Sequence, residues 1–206
     1  MRIPRICIGL AATFSFITAQ FAPAQDAKTL PITEQAVVYQ MIGEFINSGL
    51  SNLQYGYLTS VTGLDNVFSS TTTKDETTAL FTFVTSATTV QVVTHGPFRV
   101  INRTGTTTIY LNNGPSSFSD PASFAQGTPI QKSSFTQQSI VNTVTNSFVT
   151  VHTNTVTGLE SFVLDGVTYR LGQLNKSFRT NYSGQQNSPG LVPTGWFAGT
   201  STGSKN

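Results

Sequence analysis

The chain has 206 residues and carries eleven basic against nine acidic side chains, so charged residues make up 10% of it, where an ordinary soluble domain has about 25%. So little charge excludes a long coiled coil, whose flanks are dense in Glu, Lys and Arg, and a nucleic-acid binder, which needs a basic stripe against the phosphates. With 38% apolar residues, 15 Phe and 33 Thr, the chain can bury a β-rich core, which excludes disorder throughout.

The N-terminus has the order of a secretory signal peptide: Arg2 and Arg5, an apolar run from Ile6 to Ile17, then Ala22-Pro23-Ala24 as a small-x-small cleavage site. Cleavage after Ala24 removes residues 1–24, both signal arginines and Cys7, the only cysteine. The expected mature chain of 182 residues then has nine basic and nine acidic side chains, no thiol chemistry and no disulfide. Such a protein is secreted or periplasmic. No later stretch reaches the roughly 20 apolar residues that a spanning helix needs, so no integral membrane segment is expected after cleavage.

Residues 25–50 read as a leader followed by an amphipathic helix. Thr33 offers a cap, Glu34 suits the first turn, and Gly49 suits a left-handed stop. Val38, Met41, Ile42, Phe45 and Ile46 fall at spacings of three and four, which predicts one apolar stripe. From Asn52 the period becomes two. Residues 54–61, 77–85, 88–94, 97–102 and 106–112 read as strands, separated by turn residues such as Thr62-Gly63 and Thr104-Gly105. Leu80, Thr82 and Val84 share one face, and Phe81, Phe83 and Thr85 the other. Residues 130–157 read as two long strands turning near Thr145-Asn146. Asp165-Gly166, between strands at 161–164 and 167–171, is a type I′ hairpin signal.

The segment from Gly114 to Gly127, with Phe118 and Phe124, reads as a loop able to cover a barrel mouth. Residues 183–206 are rich in Gly, Ser and Pro and read as a flexible tail carrying Trp196-Phe197. The fold class that follows is all-β: an antiparallel barrel of eight or nine strands over residues 51–182, with one N-terminal helix. A β-sandwich is the alternative.

The run Thr77-Thr78-Ala79-Leu80-Phe81-Thr82-Phe83, then His95-Gly96-Pro97-Phe98, Thr108-Ile109-Tyr110, the loop from Phe118-Ser119-Asp120-Pro121 to Phe124, and Gly127-Thr128 resemble in their order secreted bacterial proteins of calycin-like type. The strand plan, over about Tyr55 to Asn181, looks like the eight-stranded barrels of the allene oxide cyclase and dirigent group. The resemblance implies a barrel with an internal cavity. No catalytic residue of that group is matched position by position, so it implies no reaction.

Candidate chemistry is sparse. With two histidines and no mature cysteine, no metal site and no cofactor is expected. No Gly-x-Ser-x-Gly elbow marks a nucleophile, and no pair of strand carboxylates marks a glycosidase. Arg99, Glu160 and Arg170 lie on strands, and an inward charge would need a partner or a ligand; alternation puts Arg170 on the solvated side. Asn102, Asn175 and Asn181 begin Asn-x-Ser/Thr sequons that matter only in a host that glycosylates.

Alternation groups His152 with Phe148, Thr150, Asn154 and Val156. If that face points inward, His152 and Asn154 are polar groups in an apolar cavity, which is how a small-molecule site looks; if it points outward, they need no explanation. The candidate ligand-binding residues are His152, Asn154, Phe148, Phe81 and Phe83. Three functions remain open: a binding module for a small, largely apolar ligand, a cyclase- or dirigent-like enzyme acting in the cavity, and a structural or cell-surface domain with a filled barrel. Near-zero net charge does not oppose a homo-oligomer.

Overall fold

The structure is a computed structural model that describes residues 26–30, 37–188 and 193–203. The signal-like residues 1–24, the first part of the expected helix at 31–36, and residues 204–206 lie outside the described residues.

Among the described residues eleven strands follow one another: β1 (Lys28–Leu30), β2 (Val37–Ser48), β3 (Ser51–Val61), β4 (Phe81–His95), β5 (Phe98–Leu111), β6 (Thr128–Asn142), β7 (Ser147–Leu159), β8 (Ser161–Leu164), β9 (Val167–Leu171), β10 (Ser177–Gln186) and β11 (Thr194–Gly203). Eight of them close an antiparallel barrel in the order β10-β11-β2-β3-β4-β5-β6-β7. The other three form a small sheet, β1-β9-β8.

Period-two alternation dictates the interior. On β6, Gln131, Ser133, Phe135, Gln137, Ser139 and Val141 are buried. On β7, Phe148, Thr150, His152, Asn154 and Val156 are buried while Val149, Val151 and Thr153 face out. Large rings enter the barrel where a facing residue has no side chain. Gly43 on β2 makes room for the ring tips of Phe83 and Phe197, and Gly105 on β5 does so for Phe135. Alternating large and small inward residues let so narrow a barrel close.

Several expectations are corrected. Val37–Ser48 is a strand rather than a helix. Tyr39, Met41 and Phe45 are its buried apolar residues on the inward face. Met41 and Phe45 belong to both the helical and the strand period, which is why the stripe looked helical. Gly43 between them costs a helix about 1 kcal/mol, and ladders to β3 on one side and β11 on the other satisfy the backbone instead. Residues 183–186 and 194–203 are likewise no tail. They complete β10 and supply β11, whose Phe197 is buried and whose Trp196 faces out. The four short strands expected over 77–112 are two long ones, and Thr104-Gly105 is mid-strand in β5, paired with both β4 and β6. The Asp165-Gly166 hairpin stands as expected, with φ of 50° and 76°.

The 112–127 loop covers the outer wall of β3 and β4, not a mouth. Gln54, Gly56 and Leu58 of β3 alternate with the outward Tyr55 and Tyr57. Phe118 and Phe124 pack over those tyrosines with ring centroids 5.5 to 6.2 Å away. The hydroxyl of Thr82 donates to the Phe124 carbonyl at 2.8 Å. Phe124 is 0% exposed, so Phe124→Ala is expected to cost about 3–5 kcal/mol, read as a lower urea midpoint with an unchanged slope. A loss below 1 kcal/mol would show that the loop does not clamp the wall.

The small sheet closes one end of the barrel. Phe162 of β8 meets the inward Phe81 edge-on at 5.5 Å, and the side-chain amide of Gln131 donates to the Leu171 carbonyl at 2.6 Å. The opposite end, where the β2–β3, β4–β5 and β6–β7 turns gather, is the open one.

Candidate functional site

A cavity of about 230 Å³ opens at that end, with Phe45, Ile101, Val141 and Phe148 among its apolar walls. Its polar lining includes inward residues of five strands, Asn47 (β2), Asn52 and Gln54 (β3), Arg103 (β5), Gln137 and Ser139 (β6), and Tyr182 (β10), together with Thr89 (β4) and Thr150 (β7), and Arg99 at the rim. Arg103, Asn47, Asn52, Gln54, Tyr182, Gln137 and Ser139 form one continuous hydrogen-bonded chain.

Arg103 begins it. The guanidinium Nη2 donates to Oδ1 of Asn47 and Nε to the hydroxyl of Thr89, both at 3.2 Å. A cation accepts nothing, so Asn47 must turn its oxygen toward it. That same oxygen accepts from Nδ2 of Asn52 at 2.9 Å, Oδ1 of Asn52 accepts from Nε2 of Gln54 at 2.7 Å, and Oε1 of Gln54 accepts from the Tyr182 hydroxyl at 3.0 Å. One buried charge thereby orients three amides and a phenol. With its proton committed to Gln54, the Tyr182 oxygen accepts from Nε2 of Gln137 at 3.1 Å. It also accepts from Nε2 of His152 at 3.1 Å, which assigns His152 the neutral tautomer protonated at Nε2.

Burial governs the titration of these groups. His152 lies flat on Phe135 with centroids 4.4 Å apart. Burial, reinforced by the charge of Arg103, pushes its pKa down to about 3. The Tyr182 phenol is held above its usual range by burial, and Tyr39 is pushed up to about 12 for the same reason. Burial also lowers Arg103, with the Arg99 charge adding to it, yet a guanidinium remains a cation.

Beneath the His152–Tyr182 layer the barrel is packed. A void there, lined by residues including Tyr39, Met41, Leu58, Phe83 and Asn154, is about 20 Å³, room for a single water. The interior is thus filled in one half and hollow in the other.

Comparison with protein-family models, with characterised proteins and with solved structures finds no match. What the site can do is read from its own chemistry.

The five residues singled out from sequence are all buried. The Phe148 face of β7 is the inward one. Phe148 lines the mouth cavity, whereas His152, Asn154 and Phe83 line the small void below it. Phe81 lies at the closed end against Phe162 and belongs to neither. Arg170 is exposed and donates to Ser161 at 2.9 Å. The residues that sequence reasoning missed are Arg103, Asn47, Asn52, Gln54, Gln137 and Tyr182. Once β5 is continuous through Gly105, Arg103 shares the inward face of Ile101 and Ile109, which would have revealed it. Among the described residues no three His, Cys, Asp or Glu side chains gather as a metal site, and no helix is long and apolar enough to cross a membrane.

Proposed function

We propose that the protein is a secreted binding module whose barrel mouth takes up one small, largely apolar ligand. The observation that carries the reading is the divided interior, solid toward the small sheet and hollow by about 230 Å³ at the other end. A hollow of about 150 Å³ already holds a benzene, so this one suits a single ring or a short chain. Phe45, Ile101, Val141 and Phe148 supply apolar walls, and the polar groups between them would fix the orientation of the occupant. The calycin-like resemblance agrees with a ligand-holding barrel. Secretion is supported by the order of charged, apolar and small residues in 1–24.

The titration of the interior favours binding over acid–base catalysis. A general acid or base works best with a pKa near the operating pH. Burial keeps His152 neutral down to about pH 3 and keeps Tyr182 protonated.

Native mass spectrometry of the protein as isolated from its own host tests the reading. An extra mass of one small molecule per chain, released on denaturation, is the expected result. A chain that arrives without a companion and also takes up no monocyclic aromatic probe would overturn it.

A further inference from the structure

Arg103 is a cation set into the wall of the mouth cavity without a counter-charge. It is 8% exposed, and its side chain holds Asn47 and Thr89, two neutral residues that line the same cavity. No carboxylate among the described residues pairs with it. Those bonds use two of the five N–H donors of a guanidinium, and Nη1 takes part in neither. Nor is Nη1 sealed inside the wall. Among the described residues the buried side-chain polar atom left without a partner is Oε1 of Gln137, not a nitrogen of Arg103. Nη1 therefore keeps an opening, and the bonds to Asn47 and Thr89 place the guanidinium in the cavity. A largely buried cation is costly without a counter-charge, and this one is accessible to a charge that arrives with a ligand.

The distribution of charge over the barrel points the same way. No Asp or Glu lines the cavity, and none stands in the β2–β3, β4–β5 or β6–β7 turns around its mouth. Asp65, Asp75, Glu76, Asp120, Glu160 and Asp165 all fall in the connections at the small-sheet end. Glu44 lies on the outer wall, where it accepts from the Tyr55 hydroxyl at 3.3 Å. Arg99 adds a second cation at the rim, so an anion approaching the mouth meets positive charge there. We propose that the ligand of this mouth is a small monocarboxylate with an apolar body, its carboxylate seated on Nη1 of Arg103 and its body against Phe45, Val141 and Phe148. The planar N–H groups of a guanidinium match the two oxygens of a carboxylate. A neutral ligand would leave the cation uncompensated, and an inorganic anion would leave the apolar walls wet. This inference rests on the reading of the mouth as the ligand site and names the class of ligand it takes.

Titration calorimetry of the full chain at neutral pH with phenylacetate, phenylacetamide and benzylamine tests it. The three probes share one ring and carry a negative, a neutral and a positive group. Phenylacetate is expected to bind at least tenfold more tightly than the amide, and benzylamine more weakly than either. Arg103→Met should bring phenylacetate down to the affinity of the amide and leave the amide unchanged, whereas Arg103→Lys, which keeps the charge, should retain a preference for the anion. Thermal melts report whether each variant folds, and the comparison on the parent chain needs no variant. Phenylacetamide or benzylamine binding as tightly as phenylacetate would overturn the inference while leaving an apolar-ligand site standing. A folded Arg103→Met protein that keeps the full preference would overturn it as well. Binding of none of the three at millimolar concentration would remove both readings.

Discussion

Replacing Gly43 by valine is expected to cost the barrel roughly 4 kcal/mol or more of its stability. A Cβ at this position would stand 2.7 Å from Cζ of Phe197, 2.7 Å from the Tyr55 carbonyl oxygen and 2.9 Å from Cζ of Phe83, where carbon contacts want 3.5–4.0 Å. The rings could swing only into a packed interior, and the carbonyl is fixed by the ladder between β2 and β3. Gly43 also faces Gly56 across that ladder, and a Cβ on Gly56 would come within 2.1 Å of the Ile42 oxygen. Ordinary overpacking costs about 1–3 kcal/mol. With backbone and two rings obstructing at once, the expected cost is roughly 4 kcal/mol or more, a large share of a typical margin of about 5–15 kcal/mol.

Gly49 provides the contrast. It sits at the β2–β3 turn with φ of 59° and open space around it. Gly49→Ala should therefore cost only the left-handed backbone penalty of about 1–2 kcal/mol. Circular dichroism through urea titrations of both variants decides the matter. A Gly43→Val protein melting within a few degrees of the parent would show that the barrel can widen.

The second large effect is a loss of stability in acid that traces to one side chain. An unfolded histidine titrates near 6.5, and His152 in the barrel near 3. Between those values the unfolded chain holds a proton that the folded chain does not, so stability falls as pH falls, by about 1.4 kcal/mol per pH unit. From pH 6.5 to pH 4 this amounts to about 3 kcal/mol. His152→Gln keeps an N–H able to reach the Tyr182 hydroxyl and removes the titration. Carboxylates and the exposed His95 are common to both proteins and cancel in the comparison. Urea unfolding at pH 7, 5.5 and 4 should show the parent losing about 3 kcal/mol more than the variant. Equal losses would mean that His152 accepts its proton inside the folded barrel.

What could be read from the sequence depended on how local the cause was. Asp165-Gly166 makes its turn by its own dihedral preferences, and it stands where it was expected. The inward set of β7, from Phe148 to Val156, follows from alternation alone, although only the closed barrel says which face is inside. Errors arose where a partner far along the chain decides. The helical spacing from Val38 to Ile46 is overridden by ladders to β3 and β11. Gly195 and Gly199 look like tail composition until Phe45 and Tyr182 are seen filling the space beside them. The mouth was the least legible part. Asn47, Asn52, Gln54, Arg103 and Gln137 come from four strands and form a site only after the sheet closes on itself, so no spacing in the sequence marks them.

That closure has a kinetic consequence. The β11–β2 seam joins Thr194 to Ile46 and Thr202 to Val37, pairs so distant along the chain that loop-closure entropy delays them. A nascent polypeptide emerging from the ribosome has therefore made seven of the eight staves before the last one exists. Until then β2 and β10 are unpaired borders able to recruit a strand from another copy. Export in an unfolded state, with closure after the final residues arrive, would spare the protein that interval of intermolecular pairing.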